Sequence, residues 1–316
     1  MPDFTIAPYA GEDFYEVVEL LSQCLHADPM TAALFTRKVL LDPNFDPEGA
    51  PVARVGDEIV GYLLAVKRQR PLENGPDDSD RGWITLFGVS PGHRRRGIGT
   101  ALLGHGLEYL RSQRCKAAAV SPYTPNYWTP GVDEAAYPEA VAFLEENGFR
   151  AVSRPISMDT QLVGGWSAPD WLRERESALE ESGVTIDTFD PAHIPALTSF
   201  LRAEFPGDWQ RYVRETMIDI TLGRRAADDL VVCYDKGRMI GFSQHEGERF
   251  GPFGVSKSER GRGVGAVLLF HTLEIMRRKG HHNAWFLWTD DSTADRVYRA
   301  AGFRETRRYS VMTRDL

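Results

Sequence analysis

Cysteine is scarce in this chain: Cys24, Cys115 and Cys233 are its three, far apart and in no Cys-x-x-Cys or Cys/His ligand spacing. An odd number leaves one unpaired, so neither a disulfide framework nor a structural zinc site is expected. The adjacent His281 and His282 fall at a helix-to-strand turn without an acidic or Cys partner at metal spacing, so no metal is expected there. Long apolar runs are missing too; none approaches the ~20 residues that span a bilayer, and no membrane partner is expected. The opening Met1-Pro2-Asp3-Phe4-Thr5 lacks the basic start and apolar stretch of a signal peptide, which makes cytoplasmic residence the default expectation. Nor is there an excess of basic residues. A net charge of −8 argues against a nucleic-acid partner, which needs Lys and Arg to offset phosphate. Arg94, Arg95 and Arg96 form a local basic patch on an acidic protein, a pattern suited to a small anionic ligand.

What remains is a globular composition, 42% hydrophobic and 26% charged, over 316 residues, enough for two domains that each bury a core. The first half reads as strand, two helices, three strands, helix, strand, helix, strand. Glu12–His26 carries apolar residues at Phe14, Val17, Val18, Leu21 and Leu25, a helical period. Gly56-Asp57 between two apolar runs signals a hairpin. The second half repeats this order, with a hairpin across Lys236-Gly237 and a helix over Gly263–Lys279 that Gly280 would cap. Residues 164–182, opening on Gly164-Gly165, read as a linker between domains at 1–163 and 183–316.

The repeat extends to details. Gly88-Val89-Ser90 matches Gly254-Val255-Ser256, an Arg-x-x-Gly-x-Gly segment follows at the same distance (Arg94–Gly99, Arg260–Gly265), and both halves later carry Gly-Phe. The first copy is 12 residues longer, an insertion around Pro122–Asp133. A strand that turns through glycines into a helix gathers unpaired backbone N–H groups at a helix N-terminus, where the dipole favours an anion and Gly permits close approach. One such turn would be weak evidence. Two, in matching surroundings, are specific, and the absence of Gly-Lys-Ser/Thr sets them apart from a nucleotide P-loop.

On these residues both halves resemble the GNAT acetyltransferase superfamily. The resemblance implies an α/β fold of two tandem domains, each a central mixed, mostly antiparallel sheet flanked by helices. Its fourth and fifth strands splay to admit the pantetheine arm of acetyl-CoA. Here those would be Trp83–Val89 with Ala117–Val120, and Phe250–Val255 with Asn283–Thr289. The resemblance puts Phe253, Gly254, Val255, Arg260, Gly261, Arg262, Gly263, Val264, Gly265 and Asp291 on the cofactor in the second half. In the first half it puts Val89, Arg94, Arg95, Arg96, Gly97, Ile98 and Gly99 there. The family's Ala-x-x-x-Tyr-x-x-x-Gly-Phe segment, whose Tyr protonates the departing thiolate, is present as Ala294, Tyr298, Gly302 and Phe303. The first half keeps Ala140, Gly148 and Phe149 but has Leu144 at the Tyr position. The second domain is therefore expected to be the catalyst, and the first a degenerate copy.

The function expected is N-acetylation of a primary amine, with Tyr298 as acid and backbone N–H groups near Phe253–Val255 polarising the carbonyl. Glu246 is the candidate base among His245, Glu246 and Glu248. Aromatics on the expected substrate side (Trp209, Trp285, Trp288; Tyr123, Tyr127 and Trp128 in the insertion, as a substrate wall or an interdomain contact) with Asp208, Asp290 and Asp291 suit a cationic amino-sugar such as glucosamine. Alternation along the strand sets Trp285 and Trp288 on opposite faces, so one of them should be core. Another small amine, an amino acid or a protein amine remains open as acceptor, as does a non-catalytic acyl-CoA-binding or regulatory protein. A monomer or homodimer is expected.

Overall fold

The structure, a computed structural model, describes residues 3–316 (backbone only at residue 295). The first half of the chain forms β1 (Thr5–Pro8), α1 (Phe14–Cys24), β2 (Pro51–Val55), β3 (Glu58–Lys67), β4 (Arg81–Val89), α2 (Ile98–Ser112), β5 (Ala117–Val120), α3 (Pro138–Glu146) and β6 (Arg150–Ser153). Then come β7 (Ile156–Gln161), α4 (Asp170–Glu181), β8 (Val184–Thr188), α5 (Ile194–Glu204), α6 (Asp208–Thr221), β9 (Leu230–Asp235) and β10 (Arg238–Glu246). β11 (Arg249–Val255), α7 (Val264–Arg278), β12 (Asn283–Thr289) and β13 (Arg304–Asp315) close the chain. No helix of the described residues is long and apolar enough to cross a membrane.

Two compact units result, and they are not contiguous stretches. The first holds the chain up to Pro71, Asp77–Pro155 and Arg308–Leu316; the second holds Leu72–Pro76 and Ile156–Arg307. In the first unit β1 to β4 pair antiparallel in sequence order and β5 joins β4 in parallel. The C-terminal half of β13 then pairs antiparallel with β5, Met312 opposite Val120 and Asp315 opposite Ala117. In the second unit β8 to β11 pair antiparallel in sequence order. Next to β12 lies β7, Asn283 opposite Gln161 and Phe286 opposite Met158. Each half thus lends a terminal strand to the other unit's sheet, so the boundaries at 163 and 183 read from composition do not delimit the units. Periodicity marks a strand but carries no record of which edge it pairs with.

The expected linker is likewise more than a tether. Leu172 and Leu179 of α4 are buried among α7 residues such as Leu269 and Leu273, and Trp166 stacks on Phe270 at 6.2 Å. The loop between β3 and β4 reaches the start of α6: Gly207 N donates to Glu73 O (3.1 Å), Asn74 Nδ2 donates to Gln210 Oε1 (3.1 Å), and Arg214 pairs with Glu73.

Each sheet is covered on both faces, which is why β3 reads as a nearly continuous apolar run and β10 is buried along nearly its whole length. Tyr62, Leu64 and Val66 of β3 pack with α1, while Leu63 and Ala65 pack with α2. In the second unit Phe242 packs with α5 and α6, and Ile240 with α7. The Gly-Val-Ser repeat finds its physical cause here. A Cβ at Gly88 would lie 2.9 Å from Cys24 at the end of α1, and one at Gly254 would lie 2.5 Å from the Phe205 ring just after α5. Glycine lets the first helix of each unit end against the fourth strand. Gly254→Ala should therefore cost about 1–3 kcal/mol of stability, as overpacking of a filled site does, read as a lower urea midpoint; an unchanged midpoint would mean that Phe205 moves freely.

Candidate active site

Parallel pairing between β11 and β12 consists of one pair, Arg249 opposite Trp285. Between β4 and β5 it runs for four, from Arg81 opposite Ala117 to Ile84 opposite Val120. Beyond these points the strands part, as the sequence led us to expect. Ser256 N donates to Ile240 O at 2.8 Å across from β10. Antiparallel alternation then turns the Gly254 backbone groups toward β10 and those of Phe253 and Val255 toward the gap beside β12. At the end of β11 the chain turns through Gly261 (φ +85°) and Gly263 (φ +89°), and α7 starts without a side-chain cap. Its first N–H groups are left for another acceptor.

The expected cofactor residues divide by environment. Val264 is buried, and a Cβ on Gly265 would lie 3.6 Å from the Phe253 ring, so these two pack the helix start against β11. Arg260 is exposed. Arg262 is tied to Asp235 (2.6 Å) and to Glu259, which holds its side chain as a brace beneath the turn. Arg175 of α4, which the sequence did not single out, lies over the turn, its Cδ 2.7 Å from where a Gly263 Cβ would sit. In the first unit Gly97 (φ +82°) again precedes the helix, but Arg95 occupies the left-handed region (φ +62°) where the second unit has Gly261. Arg95 and Arg96 are exposed, Ile98 is buried and Val89 packs beside it. Arg94 donates to Val89 O (3.2 Å) and faces Glu139 (3.4 Å), while a Cβ on Gly99 would lie 3.5–3.6 Å from the Phe87 and Phe143 rings, ordinary contact like that of Gly265 with Phe253.

Tyr298 sits between the parted strands. Its ring is 4.4 Å from Phe286 of β12, 6.3 Å from Phe253 and 6.4 Å from Phe250 of β11, and 5.6 Å from Phe303. Burial, and then the nearby Asp290 charge, push its phenol well above the usual value, so it is protonated at neutral pH. Leu144, its counterpart, is buried in an apolar cluster. Asp290 caps the following turn, accepting from Thr293 N (2.8 Å) and Ser292 Oγ (2.6 Å), with exposed Asp291 next to it.

The base candidates lie elsewhere. Glu246 faces Arg249 across the hairpin, four residues and so roughly 13 Å along β11 from Phe253. Its Oε2 accepts from Tyr212 (2.6 Å), whose phenol is pushed up to about 12 chiefly by burial. Glu248 is held low by the backbone N–H groups of His282 and Asn283. His245 is buried, its Nδ1 3.0 Å from Gly247 O and its Nε2 3.4 Å from both Lys279 and Asp229. His281 stacks edge-on against it, and no group of three metal-ligating side chains occurs among the described residues.

Two aromatic expectations change. Tyr123 is 1% exposed, hydrogen-bonded to Asp42 (3.0 Å) and Asn44 (2.7 Å), so it is core and not a substrate wall. Trp285 and Trp288 are 37% and 43% exposed, neither of them core, because the register slips between Phe286 and Thr289 and breaks the alternation. Trp209 stacks on Phe205 at 5.1 Å with its outer edge exposed.

A model of the acetyltransferase (GNAT) family matches residues 14–149 and 194–303. The chain belongs to the GNAT acetyltransferase family. This GNAT protein is 27% identical over 259 residues to a mycothiol acetyltransferase of Clavibacter sepedonicus, covering 74% of this chain and 77% of that one. Among solved structures it resembles a GCN5-related glucosamine N-acetyltransferase region of a fungal multi-domain β-N-acetylglucosaminidase (TM-score 0.78, 20% identity). That match covers 98% of this chain but 38% of the fungal one. It also resembles a GCN5-related N-acetyltransferase of Sphaerobacter thermophilus (TM-score 0.73, 20% identity, 100% and 96% covered). A tandem GNAT protein of the clavulanic acid pathway has a TM-score of 0.63 at 18% identity, with 99% and 98% covered. Tandem organisation is common ground between this chain and that neighbour.

The buried His245 makes the fold pH-sensitive. Burial holds its imidazole below the ordinary value of about 6.5, as it does for His271. The unfolded chain then takes up protons first, so their contribution is complete above about pH 6.5 and is lost as pH falls below it. The urea midpoint should drop between pH 7 and pH 5, and His245→Gln should flatten the drop; an unaltered slope would assign the protonation to other groups.

Proposed function

We propose that the chain is an acetyl-CoA-dependent N-acetyltransferase whose second unit carries the reaction. The observation that supports this most is Tyr298, a protonated phenol wedged between Phe253 and Phe286 where β11 and β12 part, beside an uncapped Gly-rich helix start. The turn fits a pyrophosphate: Gly261 leaves the backbone open, Arg175 lies over Gly263, and the α7 N–H groups with exposed Arg260 add positive charge. Acetyl-CoA supplies a thioester as acyl donor. The Phe253 and Val255 N–H groups face the gap where its carbonyl would be polarised. As the amine nitrogen bonds to the acyl carbon and the carbon–sulfur bond breaks, the Tyr298 hydroxyl delivers its proton to sulfur, and the proton lost by nitrogen passes to solvent water, from which the phenolate is reprotonated.

The first unit we read as a degenerate copy, with Leu144 in place of the phenol. Glu246, braced by Tyr212 at the paired end of the strands, we read as an acceptor-side carboxylate and not as the base. An amino-sugar is the leading acceptor. Exposed Trp209 and Trp285, with Glu246 nearby in register, offer apolar faces and negative charge to a cationic sugar. The fungal neighbour's description names glucosamine and a curated relative is a mycothiol acetyltransferase.

With acetyl-CoA and D-glucosamine the chain should release free CoA thiol. Tyr298→Phe should lower kcat about a hundredfold with the thermal midpoint retained; an unchanged kcat would remove the proton-donor role. Calorimetry should find one strong acetyl-CoA site per chain, weakened by Arg260→Ala and little affected by Arg94→Ala. Two equal sites would refute the degenerate copy.

A further inference from the structure

Gln244 lies two residues before the end of β10, fully buried, and neither its amide oxygen nor its amide nitrogen has a hydrogen-bond partner. Among the described residues of the second unit it is the one buried side chain left so. An unmade hydrogen bond to a buried amide is destabilising, and folded chains keep few of them without a use.

Its position is informative. Gln244 is opposite Leu230 on β9, and Leu230 and Phe242 belong to the cluster packed with α5 and α6. Alternation puts Phe242, Gln244 and Glu246 on that same face. Glu246, two residues on and roughly 7 Å away, is exposed and bonded to Tyr212 of α6. The carboxamide is therefore one row below solvent. It also falls at the slip between β10 and β11, where Ser243 pairs with Phe253 and His245 with Phe250, leaving Gly251 and Pro252 out of register. Pro252 has no N–H to give across the ladder.

The duplicated unit supplies the contrast. Gly61 and Tyr62 pair with Val89 and Gly88 as Gly241 and Phe242 pair with Val255 and Gly254, so Leu64 is the counterpart of Gln244. Leu64 is buried in an apolar cluster. The polar residue occurs in the unit that has Tyr298, and the apolar one in the unit that has Leu144.

We propose that Gln244 is a specificity residue for the acceptor, its carboxamide pairing with a hydroxyl or amide beside the nitrogen to be acetylated. The inference rests on the reading of the second unit as the N-acetyltransferase and narrows its acceptor to amines with a neighbouring neutral donor–acceptor group.

The test compares wild type with Gln244→Leu, which installs the first unit's residue, on D-glucosamine and on cyclohexylamine, a six-membered ring without hydroxyls. The substitution should lower kcat/KM for D-glucosamine roughly ten- to a hundredfold and leave cyclohexylamine within about twofold. The KM for acetyl-CoA and the thermal midpoint should not worsen. Equal losses on both amines, no loss on D-glucosamine, or a lower thermal midpoint would overturn the proposal; the last would make the amide structural. If wild type acetylates neither amine, the amino-sugar acceptor fails by itself. Calorimetric binding of D-glucosamine to the acetyl-CoA-loaded chain then decides: weaker binding by Gln244→Leu supports the role, and equal or absent binding refutes it.

Discussion

Hydrogen bonding between β11 and β12 ends after a single pair, Arg249 with Trp285, and the site follows from that interruption. A continuous parallel ladder would pair the outward N–H groups of Phe253 and Val255 with β12 and close the gap in which Tyr298 lies. Aromatic packing takes over where the ladder stops: Phe250, Phe253, Phe286, Phe303 and Tyr298 fill the space between the parted strands. β7 pairs with β12 on its other side and keeps it in the sheet.

The two units share this scaffold and differ in what is exposed along it. Both have a glycine in the left-handed region before the helix, a glycine under the end of the first helix, and parted fourth and fifth strands. At three further positions the units differ: Gly261 stands for Arg95, Tyr298 for Leu144 and Gln244 for Leu64. A non-glycine residue is strained at φ +62°, and an apolar side chain in a buried slot adds packing but no proton. On the function proposed here, these exchanges would set the unit that carries the reaction apart from its degenerate copy.

Much of this was legible in the sequence because it is local. Glycines that turn a strand into a helix, the helical period of α1 and α7, and the Tyr298/Leu144 asymmetry are properties of neighbouring residues. Other features depended on distant partners. Gly254 read as a cofactor glycine, yet Phe205 from another element explains its missing Cβ. Arg262 read as an anion ligand, but Asp235 and Glu259 hold it. Tyr123 read as a loop aromatic, and Asp42 and Asn44 draw it into the core. Gln244 stands among the polar residues Ser243, His245 and Glu246, where sequence alone does not tell a buried amide from an exposed one, although aligning the two halves sets it against Leu64.

The sequence by itself determined the duplication, the mixed α/β architecture of each half and the turn that can receive an anion, since each is encoded in short-range spacing. Only the tertiary structure decided which strand completes which sheet, which arginines are braces and which side chains remain unpaired. Those outcomes rest on burial and on hydrogen bonds between segments more than a hundred residues apart, as β13 with β5 and β7 with β12 illustrate.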